Sequence, residues 1–363
     1  MPILEQGYQH WRGELHGHAW RWAAITRQGL RAQAGNRWLR WILFGAFVPA
    51  IVLVGFLVVW GLFEQKSSVL APFLFLFQGL PEELRAGPRG FRVTFWTLAF
   101  NTFLSVELYF SMLLVLLAGP ELISQDLRFN AIPLYFSRPV RRTDYFLGKF
   151  GVVATFLSGV IFVPVVLAYV LGVAFSLDPL VIRDTWRIFL GALAYGAIVV
   201  LSAGTLILAV SSLSRNSRYV GAMWVGIWIV SATAAGQLEQ VVRRPWCPLV
   251  SYSGNLDRIR EGLLDTPAAY ERLKTLFRAG QDQLRQSARP SLFGRGRRKG
   301  PDGMAPPVPR PPEPPGARGP GGTAPDGEKA ELPWPWSLAV LAGLGVLSAG
   351  ILSVRIRSLD RLR

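Results

Sequence analysis

Apolar residues gather in six long runs, at about 41–62, 93–118, 150–174, 188–210, 219–236 and 336–354, separated by polar or proline-broken segments. A helix crossing a bilayer needs roughly 20 consecutive, mostly apolar residues. Each run therefore predicts a membrane span, the fifth being the shortest. All 39 Lys and Arg fall outside these windows, as do 22 of the 23 Asp and Glu. The exception is Glu107, near the middle of the second run. A central charge costs about 2.5–3.5 kcal/mol on insertion scales, so runs this clean are not expected of soluble core helices. The first run lies behind a tail of 40 residues and has no cleavage signature. It reads as a span, not as a removable signal peptide.

Composition agrees. Only 17% of the 363 residues are charged, against about 25% in soluble domains, which excludes an ordinary soluble enzyme. The formal charge of +16 points to nucleic acid or an anionic membrane surface, and the apolar runs select the membrane. With Cys247 alone, an intrachain disulfide and a cysteine-built metal cluster are excluded.

Orientation follows from basic residues in short loops. The tail before the first span, the 119–149 loop, the 211–218 loop and the end after the sixth span hold 17 Lys and Arg, against 6 in the two loops facing the other way. Both termini are expected on the cytoplasmic side of the membrane. In the tail, Trp11, Trp20, Trp22, Trp38 and Trp41 alternate with six arginines, which suits an amphipathic helix lying in the headgroup layer. An irregular basic tail obeying the charge rule is the alternative. His10, His16 and His18 lack the carboxylate or cysteine neighbours of a metal site. The run at 69–80 is too short to cross and contains Pro72, so it is expected to dip into the interface.

Between the fifth and sixth spans, 237–289 carries apolar residues at helical spacing, with Thr266-Pro267 as a helix start. Two short amphipathic helices are predicted there, outside by parity. Residues 290–335 include 13 prolines and 9 glycines. Such a composition predicts a disordered linker, and its basic run at 295–299 reads as solvated charge, so no nucleic-acid partner is expected.

The spans contain no histidine and a single acid, and the chain has no GxxxxGK[ST] phosphate loop. Nucleophile–base, paired-carboxylate and zinc chemistry within the membrane is thereby disfavoured. The chain is not expected to be an enzyme or to bind a cofactor directly, and energy for any driven process must come from a partner. Glu107, with Asn101 and Ser105 nearby in sequence, is the candidate for a transport path or proton site, or else an acid satisfied by a neighbouring helix.

The 119–149 loop carries eight charges between two uncharged span ends: Glu121, Asp126, Arg128, Arg138, Arg141, Arg142, Asp144 and Lys149. Gly119-Pro120 stops the second span, and Pro133 and Pro139 interrupt the rest of the loop. The physical reading is either a compact docking surface, whose arginines make forked contacts to a partner's carboxylates, or a solvated interface. Within it, Ile123, Asp126, Leu134-Tyr135, Ser137-Arg138-Pro139 with Arg142, and Leu147-Gly148-Lys149 resemble the loop between the second and third spans of type-2 ATP-binding-cassette transporter permeases. Asp126 replaces the family's common glutamate, and Asn130 stands about where a glycine is common.

The resemblance covers about 1–260 and 336–363. It implies an all-α integral membrane protein of six transmembrane helices, with an interfacial N-terminal helix (1–40), spans 1–5 over 41–236 and a coupling helix in the 119–149 loop. It also implies a second permease copy, identical or not, and cytoplasmic ATPase subunits that bind ATP and Mg. Coupling to the ATPase then falls on Glu121, Asp126, Arg128, Ser137, Arg138, Pro139, Arg141, Arg142 and Lys149. The function so implied is an exporter permease of a plasma (inner) membrane; the rival readings are a membrane scaffold and a proton-coupled carrier using Glu107.

Overall fold

The computed structural model describes residues 20–68, 87–137, 140–242, 244–287 and 332–360. Trp11 and the three histidines of the tail, the 69–80 run, Arg138, Pro139 and the 290–331 part of the linker lie outside the described residues.

Among the described residues there is no strand. The helices are α1 (Arg21–Ala34), α2 (Arg37–Glu64), α3 (Arg92–Ala118), α4 (Glu121–Arg128), α5 (Ile132–Phe136) and α6 (Arg142–Ser176). They continue as α7 (Leu180–Leu213), α8 (Ser217–Val225), α9 (Ser231–Val242), α10 (Tyr252–Leu264), α11 (Thr266–Ser287) and α12 (Pro335–Asp360). A π-helical turn, Gly226–Val230, joins α8 to α9. Six helices are long and apolar enough to cross a membrane: α2, α3, α6, α7, α8 continued through α9, and α12.

The helices outrun the apolar windows. At 1.5 Å per residue, α6 and α7, with 35 and 34 residues, are about 50 Å long, against roughly 30 Å of hydrocarbon. Their charged turns at 142–149 and 180–187 continue the helix past the apolar stretch, which is why hydropathy alone started these spans eight residues late. Of the apolar window of α7, 67% is buried, compared with 17% for α8–α9. Thus α7 and, next to it, α3 form the centre, while α2, α8–α9 and α12 keep broad apolar faces outward.

The described part of the tail is helical, and it is held against the bundle. α1 packs along α6, where its Thr26 hydroxyl donates to the Gly148 carbonyl at 3.0 Å. The approach is close enough that a Cβ at Gly148 would lie 2.5 Å from Ile25 Cβ. A larger residue there must push α1 away.

The segment after α9 turns back into the bundle. The Tyr252 hydroxyl lies 3.1 Å from the Ser202 hydroxyl, about three turns inside α7 from its Leu213 end. Its backbone N–H donates to Ser231 Oγ beside the π turn. From there α10 runs along α7, and a Cβ on Gly191 would meet the Leu263 carbonyl oxygen at 2.9 Å. The two predicted helices of 237–289 thus exist, but α10 is an inserted element rather than a surface one. At the far side of the linker Trp334 packs on Gly262, so 332–335 belong to the fold.

Candidate functional site

At one end of the bundle, α4 and α5 form a compact projection between α3 and α6. α4 begins at Pro120 with no side chain of its own to cap the first N–H groups, which otherwise stay unsatisfied. Ser211, near the end of α7, supplies the acceptor: its hydroxyl oxygen takes the N–H of Ile123 at 3.2 Å and of Ser124 at 3.1 Å, and donates to the Pro120 carbonyl at 2.8 Å. The helix ends at Asn130 in the left-handed region, φ 51°. Glycine and asparagine tolerate that conformation best.

Residues far apart in the loop then close on one another. The Asp126 carboxylate accepts from the Tyr145 hydroxyl at 2.7 Å and pairs with the Lys149 ammonium at 2.7 Å. That ammonium sits over the rings of Tyr135 and Tyr145, 5.8 and 5.6 Å from their centroids, within cation–π range. Burial and the nearby Asp126 charge hold the Tyr135 hydroxyl above its ordinary pKa. This box ties α4 and α5 to the first turns of α6.

The candidate docking residues therefore divide in two. Asp126 and Lys149 are largely enclosed and engaged with each other. Glu121, Arg128, Ser137, Arg141 and Arg142 are exposed, with the Ser137 hydroxyl donating to the Leu134 carbonyl and the Arg141 N–H to the Asp144 carboxylate. Among them Phe129 and Leu134 are 71% and 70% exposed, and the Arg128 guanidinium lies over the Phe129 ring. The projection thus presents two exposed apolar side chains and three exposed arginines.

Asn101 and Glu107 are not brought together. The Asn101 carbonyl oxygen accepts from Arg260 Nε at 2.9 Å and from the Thr266 hydroxyl at 3.4 Å, which pins the α10–α11 corner to α3. Glu107 is 1% exposed. Neither of its carboxylate oxygens has a hydrogen-bond partner among the described residues, and the Ser111 hydroxyl one turn on is equally unpartnered.

At the end of the bundle opposite the projection, the structure assembles a charged cluster that the sequence did not suggest. Arg92, 2% exposed, gives a forked contact to Glu64 (Nη2 to Oε2 2.7 Å, Nε to Oε1 2.9 Å), and reaches Asp178 at 2.8 Å and Asp184 at 3.1 Å. Trp60 Nε1 donates to Glu64 at 2.6 Å and Ser176 Oγ donates at 3.3 Å. Its bond to Arg92 holds the Asp178 carboxyl below the ordinary value. Four helices, α2, α3, α6 and α7, are joined there. The signal available in the sequence was weak: Glu64, Arg92, Asp178 and Asp184 each sit just past the end of an apolar run, where charges are ordinary.

No protein-family model matches the chain, and no curated protein matches it.

Proposed function

We propose that this chain is the membrane-spanning permease subunit of an ATP-driven exporter, energised by a separate cytoplasmic ATPase that docks on the α4–α5 projection. The observation that supports this reading most directly is how the projection is built. A contact that transmits movement must be stiffly joined to the spans and sticky at its tip. Ser211 and the Asp126–Tyr145–Lys149 box supply the stiffness, tying α4 and α5 to α7 and α6. Exposed Phe129, Leu134, Arg128, Arg141 and Arg142, with the Arg128 guanidinium over the Phe129 ring, supply the tip. Aromatic and arginine side chains are enriched at protein interfaces, and arginine is among the anchors that dominate their energetics. Rigid-body movement carried through such a contact is one known route for driven conformational change.

In this reading both termini are cytoplasmic, ATP and Mg are bound by the partner, and a second permease copy packs on an outward apolar face, for which α8–α9 is the least buried candidate. The test is affinity purification of the full chain from native membranes, with the recovered partners assayed for ATP hydrolysis. Recovery of an ATPase that is lost on Arg128→Glu with Arg141→Glu supports the proposal. Recovery of no ATPase, in a detergent that preserves a known transporter, overturns it.

Glu107 favours a second reading. An enclosed acid without partners has the chemistry of a proton-binding group, so a carrier driven by a proton gradient is the alternative if no ATPase is recovered.

A further inference from the structure

Between α2 and α3, toward the end that carries Glu64 and Arg92, runs a cavity of about 780 Å³, a volume typical of small-molecule sites. Along α2 it extends from Val48 to Trp60, about 18 Å at the rise of an α-helix. One leaflet of the hydrocarbon core is about 15 Å deep. The walls are apolar, and among the described residues Thr94 and Thr102 bring the only hydroxyls. The indole N–H of Trp60, which also lines the cavity, is given to Glu64. That bond holds Trp60 flat against Phe95, with ring centroids 4.1 Å apart, and the stacked pair forms one stretch of the wall.

Two features make this a built site instead of an open seam between helices. The first is a roof. Leu273 and Leu276 of α11, which is not one of the spans, also line the cavity, so that a third element covers part of it, and α11 starts from the Thr266 contact to Asn101. The second is the mouth, where Val48, Val52 and Phe56 are more than half exposed. They open sideways onto whatever surrounds the spans, which at this depth is hydrocarbon. Water is a poor occupant, because a bound water needs two to four polar partners.

We propose that the cavity holds one acyl chain of a membrane lipid, entering sideways from the leaflet on the Glu64–Arg92 side. Length, apolar walls and a lateral mouth match a single chain, and among the described residues no charged side chain lines the cavity, so the headgroup stays at the interface. The proposal requires only that α2 and α3 cross a bilayer, and it stands apart from the ATPase reading.

The test uses the full chain in lipid nanodiscs containing a phosphatidylethanolamine with a photoreactive diazirine midway along one acyl chain, with adducts mapped by mass spectrometry. Adducts on 48–60, 94–106 and 273–276 are expected at about fivefold or more over the outward face of α6 at Val163, Val166 and Val170. Ala99→Phe fills the cavity and is expected to remove that excess while leaving the α6 adducts unchanged. Leu273→Asp opens the roof from outside the α2–α3 packing and is expected to lower the excess too, which keeps the test decisive if Ala99→Phe does not fold. Equal labelling of both faces marks ordinary bilayer contact and overturns the proposal. So does a cross-link between cysteines placed at position 52 of two subunits, because a second copy then occupies the mouth.

Discussion

The Asp126 carboxylate meets the Lys149 ammonium at 2.7 Å, joining the end of α4 to the start of α6. Charges that the resemblance assigns to a partner are thus used inside the chain to make its projection rigid. Removing one side, as in Asp126→Asn, leaves Lys149 and Tyr145 with a weaker acceptor and is expected to cost roughly 1–3 kcal/mol. A thermal-denaturation cycle over Asp126→Asn, Lys149→Met and the double variant checks this. A double variant no worse than either single one is the expected outcome.

Ser211→Ala removes the acceptor for two amide groups at the start of α4, 88 and 87 residues away in sequence. Buried N–H groups left without a partner cost about 1–3 kcal/mol. Amide hydrogen exchange is expected to accelerate over 121–128 while α7 keeps its protection. Unchanged exchange over α4 removes Ser211 from the anchoring scheme.

Gly148→Val places carbon atoms where Ile25 and the Trp22 carbonyl already lie, 2.5 and 3.0 Å from a Cβ. The expected result is detachment of α1, read as faster proteolysis within 21–34, with the six spans still folded. Gly148 and Lys149 adjoin in the loop motif for different reasons: one admits α1 and the other closes on Asp126.

Arg92→Leu strips the charge that neutralises Glu64, which is 7% exposed. Loss of one partner from a buried pair costs about 3–5 kcal/mol, so a large drop in melting temperature in detergent is expected. Adding Glu64→Gln to Arg92→Leu is expected to recover part of it, because the uncompensated buried charge is then gone. The cluster also carries a pH dependence through Asp178, whose carboxyl is held down by Arg92. A depressed carboxylate contributes its stability above its unfolded pKa of about 3.9 and loses it as pH falls through the lower folded value. Melting temperature is therefore expected to fall on acidification below about pH 4, and Asp178→Asn is expected to flatten that part of the profile.

Glu107→Met replaces unpartnered polar atoms by apolar ones of similar size. If the acid has only a structural presence, stability rises by about 1–3 kcal/mol with activity unchanged. A rise in stability with loss of transport places Glu107 in the mechanism, as expected of a group kept at the expense of stability.

Much of the architecture was legible because it is a property of local runs. Twenty apolar residues in succession have one economical arrangement in a bilayer, a helix whose backbone groups bond to each other, and all six runs form such helices. The stop at Gly119-Pro120, the short helix after it, the helix start at Thr266 and the single acid in the apolar interior are likewise readable in one stretch of chain. Helix ends were less legible, because hydropathy reports the hydrocarbon depth and α6 and α7 continue beyond it.

The pairings needed the folded chain. Arg92 with Glu64, Asp178 and Asp184, Ser211 with α4, and Arg260 with Asn101 connect residues 28 to 159 positions apart. A hydrophobic pattern encodes which face of a helix is turned inward, not which distant group it meets there. α10 shows the consequence most plainly: Arg260 and Asn255 give it the composition of a surface helix, yet both side chains are buried. Asn101, Asp257 and the carbonyls of Leu249 and Ser251 accept the hydrogen bonds of their N–H groups, which offsets the cost of burying those groups, while Asn255 Oδ1 has no partner among the described residues.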